Sequence, residues 1–329
     1  MAKCIHLFSD GLDSLVSLKL LESLGVEVLP VRFFSVFFPL RHRRTVDETK
    51  AFIRERYGVE LTCIDLTAEA VEMVKSPKFG FGSYMNPCID CKIMMFKKAG
   101  ELMRSSGADF ISTGEVVGQR PMTQFYRTLL LLERESGLVG YILRPLSAKL
   151  LPQTVAEQKG LVDRGKLQDI RGRSRRRQLM LAKELKIKEY PQPAGGCLLT
   201  DENYSRRLKD LLIHKYRSIA EIGLLRIGRH FRLNRETKLV VGRDESENRI
   251  LDELRPDYAV RVEPIGVMGP TALLFGETDG ETLAWALKIT AGYCDSPYGV
   301  PVPFKLERGG ESREISVVKE KTNPEEYRI

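Results

Sequence analysis

Long apolar runs are missing from this sequence. No stretch approaches the length of a membrane-spanning helix, so we expect no membrane partner. The amino terminus begins with a short apolar strand, Cys4 to Phe8, instead of a basic segment followed by a long apolar run. This start does not resemble a secretory signal, and we therefore expect a cytoplasmic protein.

Histidine is scarce, which bears on metal binding. The four histidines show no spacing that pairs them with cysteine, and a structural zinc site normally takes four protein ligands, so zinc is disfavoured. Six cysteines in a cytoplasmic chain do not form a usual disulfide framework. Three of them have apolar or mixed neighbours and are expected to act as small hydrophobic residues: Cys4, Cys63 and Cys294.

Positive charge is in excess. The 329 residues carry a formal net charge of +8, with an isoelectric point near 9.1, which fits a polyanionic partner. The excess is concentrated between Lys159 and Lys188, where 11 basic residues stand against three acidic ones. A cluster of this kind suits contacts to a phosphate backbone, although a solvated surface is the simpler alternative.

The first strand leads directly into a polar turn and then a helix. The turn is Ser9-Asp10-Gly11-Leu12-Asp13-Ser14, and apolar residues with helical spacing follow it. Backbone N–H groups at such a helix start, together with serine hydroxyls, can bind an anion. The same residue types also cap helices without any ligand.

Strands and helices alternate through the first half of the chain, which predicts an α/β fold with a doubly wound parallel sheet. Ligands bind at the carboxyl ends of the strands in such sheets. Arg32 and Phe33, at the end of the second strand, are therefore candidate adenosine neighbours, and a strand in the core is the alternative explanation for both. The strand predicted at 108–113 ends in a loop in which Thr113, Gly114 and Gln119 are candidate nucleotide contacts.

The turn from Ser9 to Ser14 resembles the pyrophosphate loop, SGGxDS, of the ATP-pyrophosphatase (PP-loop) superfamily. Members of that superfamily adenylate a carbonyl oxygen and release pyrophosphate, so the resemblance implies ATP and Mg²⁺. Asp10 stands where the family usually has its first glycine, and its carboxylate should repel phosphates unless a cation compensates. Aspartate tolerates a left-handed backbone, so the turn itself can be kept.

Later motifs resemble the tRNA thiouridine synthases. The run from Thr113 to Gln124, followed by Ile142-Leu143-Arg144-Pro145-Leu146, is similar to the 4-thiouridine synthetases. Asn86-Pro87 before Cys91, and Gly195-Gly196-Cys197, are similar instead to the tRNA 2-thiouridylases. The resemblance implies that Cys91 and Cys197 are catalytic and that Asp13 orients pyrophosphate and Mg²⁺.

Cys88 distinguishes two ways of carrying sulfur. Cys88 and Cys91 form a CxxC pair, and with Cys197 they would provide three thiolates for a [4Fe-4S] cluster with one iron left open. The cluster-free alternative passes a persulfide between Cys91 and Cys197, and the 2-thiouridylases typically have aspartate at the position of Cys88. The additional thiol of Cys88 favours the cluster over the persulfide route.

The chain is expected to have three parts: a PP-loop domain at 1–150, a basic helical segment with the second cysteine loop at 151–205, and an α+β accessory domain at 206–329. The last part resembles, over short motifs, the RNA-binding domain of ribosome-quality-control proteins. Residues after Glu307 alternate charged and small side chains and are expected to form a weakly ordered tail.

These observations predict an ATP-dependent tRNA sulfurtransferase that takes its sulfur from sulfide or a persulfide carrier. Two alternatives remain: a PP-loop enzyme that acts on a small molecule, and a non-catalytic iron–sulfur protein that binds RNA.

Overall fold

The computed structural model describes residues 1–40, 44–190, 196–214, 216–276 and 280–329. Its contacts divide the chain into two compact units, Met1–Thr200 and Asp201–Ile329. The segment predicted to be separate, 151–205, therefore lies almost entirely within the first unit. In the described part of the chain, no helix combines the length and the apolar character needed to cross a bilayer.

The first unit contains the expected parallel sheet. Its five strands lie in the order β3-β2-β1-β4-β5, and every pair is parallel. The strands are β1 (Lys3–Leu7), β2 (Glu27–Phe34), β3 (Thr62–Asp65), β4 (Phe110–Thr113) and β5 (Ile142–Leu143). The predicted doubly wound α/β fold is confirmed, and β1, which precedes the polar turn, lies at the centre of the sheet.

Helices of the first unit connect these strands and pack against the sheet. They are α1 (Leu12–Ser23), α2 (Val46–Tyr57), α3 (Thr67–Lys75), α4 (Cys88–Ser105), α5 (Tyr126–Ser136), α6 (Val155–Gln158) and α7 (Arg176–Glu184). Ile5, Phe96 and Ile111 belong to one buried cluster between the sheet and α4. Because a helix that connects two parallel strands runs opposite to them, α1 and α4 both begin at the carboxyl edge of the sheet.

The start of α4 differs from the prediction. A loop rich in glycine and proline precedes Cys88 and would favour a later helix start, whereas the helix begins at Cys88, directly after Pro87. Proline is compatible with a helix start because its missing N–H would have no intrahelical partner there. Both cysteines of the CxxC pair therefore lie in the first turn of α4.

The second unit is built on an antiparallel six-stranded sheet in the order β11-β10-β8-β9-β7-β6. Its strands are β6 (Arg229–Arg232), β7 (Lys238–Val241), β8 (Val260–Pro264), β9 (Ala272–Phe275), β10 (Pro301–Arg308) and β11 (Glu311–Val318). Its helices are α8 (Glu202–Ile213), α9 (Ile219–Leu224), α10 (Glu245–Glu253) and α11 (Gly280–Gly292). The expected α+β organisation of this part is present.

The expectation of a weakly ordered tail after Glu307 is wrong. Strands β10 and β11 form an antiparallel hairpin, paired from Pro301 with Val318 to Arg308 with Glu311. Gly309 and Gly310 have φ values of 57° and 87°, the left-handed pair that a two-residue hairpin turn requires. The alternation of residue types reflects a strand with one exposed face, and two side chains on the other face pack on the core: Ile315 and Val317.

Candidate nucleotide and cysteine site

The turn between β1 and α1 is held in shape by the Ser14 hydroxyl. Ser14 Oγ accepts hydrogen bonds from Ser9 N and Ser9 Oγ, both at 3.2 Å, and donates to Gly11 O at 2.9 Å. Asp10 has a φ of 54°, so the turn keeps a left-handed residue without glycine, as expected for aspartate. The loop is thus formed without a ligand, and α1 begins directly after Gly11.

His6, on β1, is hydrogen-bonded to this turn, and the sequence analysis did not identify it as a site residue. Its ring is fully buried, with Nδ1 at 2.6 Å from Ser112 Oγ and Nε2 at 2.9 Å from Ser14 O. Burial lowers the pKa of His6 to about 4, so the ring is neutral at pH 7. The neutral ring therefore donates from Nε2 to Ser14 O and accepts the Ser112 hydroxyl proton at Nδ1.

Gly114 is in direct contact with the turn, as its position after β4 suggested. A Cβ atom at Gly114 would lie 2.5 Å from both Asp13 C and Ser14 N. Such distances are impossible for real side chains, so only glycine allows the loop after β4 to reach the start of α1 at this point. Backbone contact therefore connects the two loops that were predicted to bind nucleotide.

Asp13 lies between these loops and has its negative charge only partly compensated. Gln119 Nε2 donates to Asp13 Oδ2 at 3.0 Å, which brings two predicted site residues together. Burial raises the pKa of Asp13, while Gln119, Arg175 and Arg120 act to lower it. Its other oxygen, Oδ1, is buried without a hydrogen-bond partner among the described residues.

Gln178, on α7, is a second residue that sequence reasoning missed. Its side chain is completely buried, and both amide atoms are without hydrogen-bond partners in the described part of the chain. It is close enough to Asp13 to help lower the pKa of that carboxyl group. An unsatisfied buried amide beside an unsatisfied carboxylate oxygen indicates a position for a polar ligand.

Glu115 connects the nucleotide loop to the cysteine helix. Its carboxylate is buried and forms ion pairs with Lys92 of α4 at 3.0 Å and with Arg144 at 3.2 Å. Burial alone would raise the pKa of Glu115, but these two cations hold it below its usual value. Arg144 also pairs with Glu133. Glu115 is therefore part of an internal network of ion pairs.

The three cysteines of the proposed sulfur site influence one another electrostatically. Burial raises the pKa of Cys91 to about 12 and that of Cys197 to about 11, and thiolate charge on the neighbouring cysteines adds to each effect. Cys88 Sγ donates to Asn86 Oδ1 at 3.1 Å. Leu198 N donates to Phe37 O at 2.9 Å, which fixes the turn after Cys197 to the loop that follows β2.

No metal site is preformed. Within the described residues, no three His, Cys, Asp or Glu side chains are arranged to hold a metal ion. Gly195, which formed part of the motif before Cys197, lies outside the described residues. All six cysteines are free thiols.

Three predicted nucleotide contacts are placed differently. Phe33 is buried in the core cluster with Ile5 and Phe96, so its side chain serves packing. Thr113 is buried, and its hydroxyl is hydrogen-bonded to Glu115. Arg32 lies on β2 opposite Cys63 of β3.

Comparison with known proteins assigns both units. Residues 1–149 match the family model "Thiamine biosynthesis protein (ThiI)", and residues 228–328 match "NFACT protein RNA binding domain". The first match lies within the first unit, and the second lies within the second unit. The resemblance to the thiouridine synthases that the sequence motifs suggested is confirmed.

Individual relatives agree with this assignment. Over 146 residues the chain is 31% identical to "Probable tRNA sulfurtransferase" of Thermococcus kodakarensis, covering 44% of this chain and 36% of the relative. The chain thus spans little more than a third of the length of that curated relative.

Two solved structures are similar in part. One is "U34-tRNA thiolase NcsA from Methanococcus maripaludis with its [4Fe-4S] cluster", with 17% identity and a TM-score of 0.33 over 64% of this chain and 66% of that chain. The other is "Crystal structure of a 4-thiouridine synthetase - RNA complex with bound ATP", with 21% identity and a TM-score of 0.35 over 56% of this chain and 52% of that chain. Neither TM-score reaches 0.5, so neither likeness supports an assignment of activity.

Gly114→Ala should destabilise the first unit, because the added methyl group would overlap the backbone of Asp13 and Ser14. We expect a loss of about 1–3 kcal/mol in the free energy of unfolding, as for other overpacked sites. Gly11→Ala is the matched control: its Cβ would lie at an ordinary 3.5 Å from Ser9 Oγ. Equal stability of the two variants in urea unfolding would contradict the close contact.

His6 should make stability depend on pH. Its folded pKa, about 4, is below the usual 6.5, so its contribution is complete above pH 6.5 and is lost as pH falls toward 4. The shift corresponds to a loss of about 3 kcal/mol across that range. NMR of the imidazole signals, assigned with His6→Gln, should show a ring that stays neutral at pH 5. A His6 signal that titrates near pH 6.5 would refute the buried, neutral assignment.

Proposed function

We propose that this chain is an ATP-dependent tRNA sulfurtransferase, which adenylates a uridine carbonyl oxygen and replaces that oxygen with sulfur. One observation carries the proposal: a continuous path of contacts joins the anion-binding turn to the cysteine helix. Gly114 touches the backbone of Asp13, and the next residue, Glu115, pairs with Lys92, one position after Cys91. The nucleotide loop and the thiols thus belong to one connected site.

Two further observations support RNA as the substrate. The curated relative that is 31% identical over 146 residues is named as a probable tRNA sulfurtransferase. The second unit matches an RNA-binding domain, which an enzyme for a small molecule would not need. In this proposal 1–150 is the PP-loop domain, 151–205 brings the basic segment and Cys197, and 206–329 binds RNA. A tRNA substrate would place the activity in the cytoplasm.

The ATP step uses the turn from Ser9 to Ser14. Its backbone N–H groups and the Ser9 hydroxyl would bind the pyrophosphate portion of ATP at the start of α1. Asp13 fits Mg²⁺ because its Oδ1 is buried without a partner among the described residues. Mg²⁺ bound to phosphates commonly uses only one or two protein carboxylates, with water filling its remaining positions. The uridine oxygen attacks the α-phosphorus, and pyrophosphate leaves.

In the second step, sulfur replaces the activated oxygen. A sulfur nucleophile, supplied by sulfide or a persulfide carrier, adds to the adenylated carbon, and AMP leaves with the original uridine oxygen. The leaving AMP keeps the bonding electron pair, so no net oxidation takes place when the nucleophile is hydrosulfide. Cys91 and Cys197 are the residues we propose to act at this step.

Cys88, Cys91 and Cys197 are the three thiols that would hold a [4Fe-4S] cluster, because thiolates are the usual ligands of such clusters. The three thiols interact electrostatically, and burial raises the pKa of Cys91 and Cys197 to about 12 and 11. Both routes need the thiols to lose their protons, to a base in persulfide chemistry and to solvent on cluster binding. The cluster would supply an iron with one position not taken by protein.

The basic segment gives a second surface for RNA. Arg175 and Arg176 are exposed at the start of α7, whereas Arg177 pairs with Asp169 at 2.5 Å. Gln178, one residue further on, points inward near Asp13. The same helix turn therefore presents cations to the solvent and an amide to the nucleotide site.

Asp13→Asn should abolish pyrophosphate release. Asparagine can still accept the hydrogen bond from Gln119, so the variant removes charge and not the loop structure. We expect pyrophosphate release to fall at least about 100-fold, as when a preorganised electrostatic group is lost, with tRNA affinity changed less than about twofold. Pyrophosphate is measured with and without tRNA. Wild-type turnover by this variant would refute the role of Asp13, and wild-type release that does not require tRNA would favour a small-molecule substrate.

Cys88→Ala should separate the cluster from the persulfide route. With a cluster, anaerobically purified protein should lose bound iron, bound sulfide and charge-transfer absorbance together with tRNA thiolation. Cys63→Ala is the control, because Cys63 is a partly exposed thiol on β3 outside the site. Full activity of Cys88→Ala in iron-free buffer would end the cluster proposal and leave the sulfurtransferase proposal intact.

A further inference from the structure

The second unit contains a cavity of about 560 Å³ that the proposed chemistry does not use. It opens between the end of α8, the segment before α9, and strands β6 and β7. All of its lining residues belong to Asp201–Ile329, so the cavity lies within one compact unit. Part of its lining, from Leu211 to Glu221, precedes residue 228, where the match to the RNA-binding domain begins.

Lys238 is the unusual residue of this cavity. Its side chain is only 4% exposed, yet its ammonium group has no hydrogen bond or ion pair within the described part of the chain. Because Lys238 lines the cavity, its ammonium group is available to an anionic ligand. Burial lowers the pKa of Lys238 to about 8, and Arg232 acts in the same direction against Asp210 and Glu221.

Two more cations at the cavity are available for a ligand. Arg217 and Arg235 are exposed, and neither forms an ion pair with any residue that the structure describes. Arg232 is different, because it forms two hydrogen bonds with Asp210 at 3.1 and 2.6 Å. Lys238, Arg217 and Arg235 therefore line one cavity as cations that are not engaged in ion pairs with the described residues.

A fixed aromatic ring lies beside these cations. Tyr258 OH donates to Glu221 at 2.6 Å and shares a hydrogen bond with Ser218 at 2.9 Å, and its ring packs edge-on against Phe275. The Arg217 guanidinium lies 5.5 Å from the centre of the Tyr258 ring. Tyrosine rings and arginine guanidinium planes are the usual partners of unpaired RNA bases.

The size of the cavity limits the ligand. A volume of about 560 Å³ is in the range of pockets for small ligands, so it suits one nucleotide and not a double helix. The carboxylate of Glu221 is already engaged by Tyr258, which reduces its repulsion of a phosphate. Glu236, also at the rim, is exposed to solvent, where its charge is screened.

We propose that this cavity binds a single unpaired RNA nucleotide, with its phosphate between Lys238, Arg217 and Arg235 and its base on Tyr258. The identity of the RNA as tRNA rests on the proposed function, whereas the nucleotide pocket rests on the second unit alone. The pocket would give the second unit a preference for single-stranded RNA over duplex.

The test uses the full chain and a single-stranded uridine tetranucleotide, with Kd measured over a range of salt concentrations. The variants are Lys238→Met, which keeps the side-chain length, and the double change Arg217→Ala with Arg235→Ala at two exposed positions. The control changes two exposed arginines on the β10–β11 hairpin, Arg308→Ala with Arg313→Ala. Net charge falls equally in the two double variants.

Wild type should bind the tetranucleotide, and inorganic phosphate should compete. Because the three cations share one phosphate, the Arg217 and Arg235 double variant and Lys238→Met should each reduce the log–log salt slope by up to about 0.7, the value for one lost phosphate contact on a single strand. The Arg308 and Arg313 control should keep the wild-type slope. Lys238→Arg should restore most of the binding lost in Lys238→Met.

Three outcomes would overturn the proposal: no binding of the tetranucleotide by wild type, equal loss in the two arginine double variants, or binding of inorganic phosphate alone. Pyrophosphate release and tRNA thiolation are measured on the same proteins. If the wild-type chain never thiolates tRNA, the proposed function is refuted. If the cavity variants of that chain still lose tetranucleotide binding, the nucleotide pocket is supported. If those variants thiolate tRNA normally and bind the tetranucleotide as tightly as wild type, the nucleotide pocket is refuted and the proposed function is supported.

Discussion

The contact between Gly114 and the backbone of Asp13 and Ser14 is the constraint on which the first unit depends. Two loops separated by about a hundred residues meet there with no side chain between them. His6 supports the same point from the sheet side, because its ring bridges Ser112 on β4 and Ser14 on α1. The shape of the anion-binding turn is therefore determined by the pairing of β1 with β4, the two central strands.

The ion pairs of Glu115 link the loop after β4 to α4, the helix that carries Cys88 and Cys91. Burying Glu115 is tolerable only because Lys92 and Arg144 compensate its charge, and removing one partner of a buried pair typically costs about 3–5 kcal/mol. Since Lys92 belongs to the first turns of α4, the ion pair also fixes where Cys88 and Cys91 stand relative to β4. The loop after β4 and helix α4 are thus held in position by the same buried ion pairs.

Local patterns predicted the elements well, and long-range contacts escaped them. The turn after β1, the span of α2 from Val46 to Tyr57 and the parallel sheet follow from residue periodicity and turn chemistry. His6, Gln178 and the ion pairs of Glu115 depend on partners far away in sequence, which no local pattern reveals. Phe33 shows the same limit: a strand end beside a ligand site and a strand end beside a core have the same local pattern, and the structure places Phe33 in the core cluster. The hairpin after Glu307 was missed because charged residues on an exposed strand face resemble a disordered tail.

The two edges of the second sheet are protected in different ways. At one edge, β6 is covered by the chain near Arg328, which forms an isolated bridge with Phe231. At the other edge, β11 begins with exposed charged side chains, among them Glu311, Arg313 and Glu314. Covered or charged edges prevent sheets of neighbouring molecules from joining. Each edge of this sheet is therefore a poor template for strand pairing with a second molecule, so the sheet is expected to end at β6 and β11.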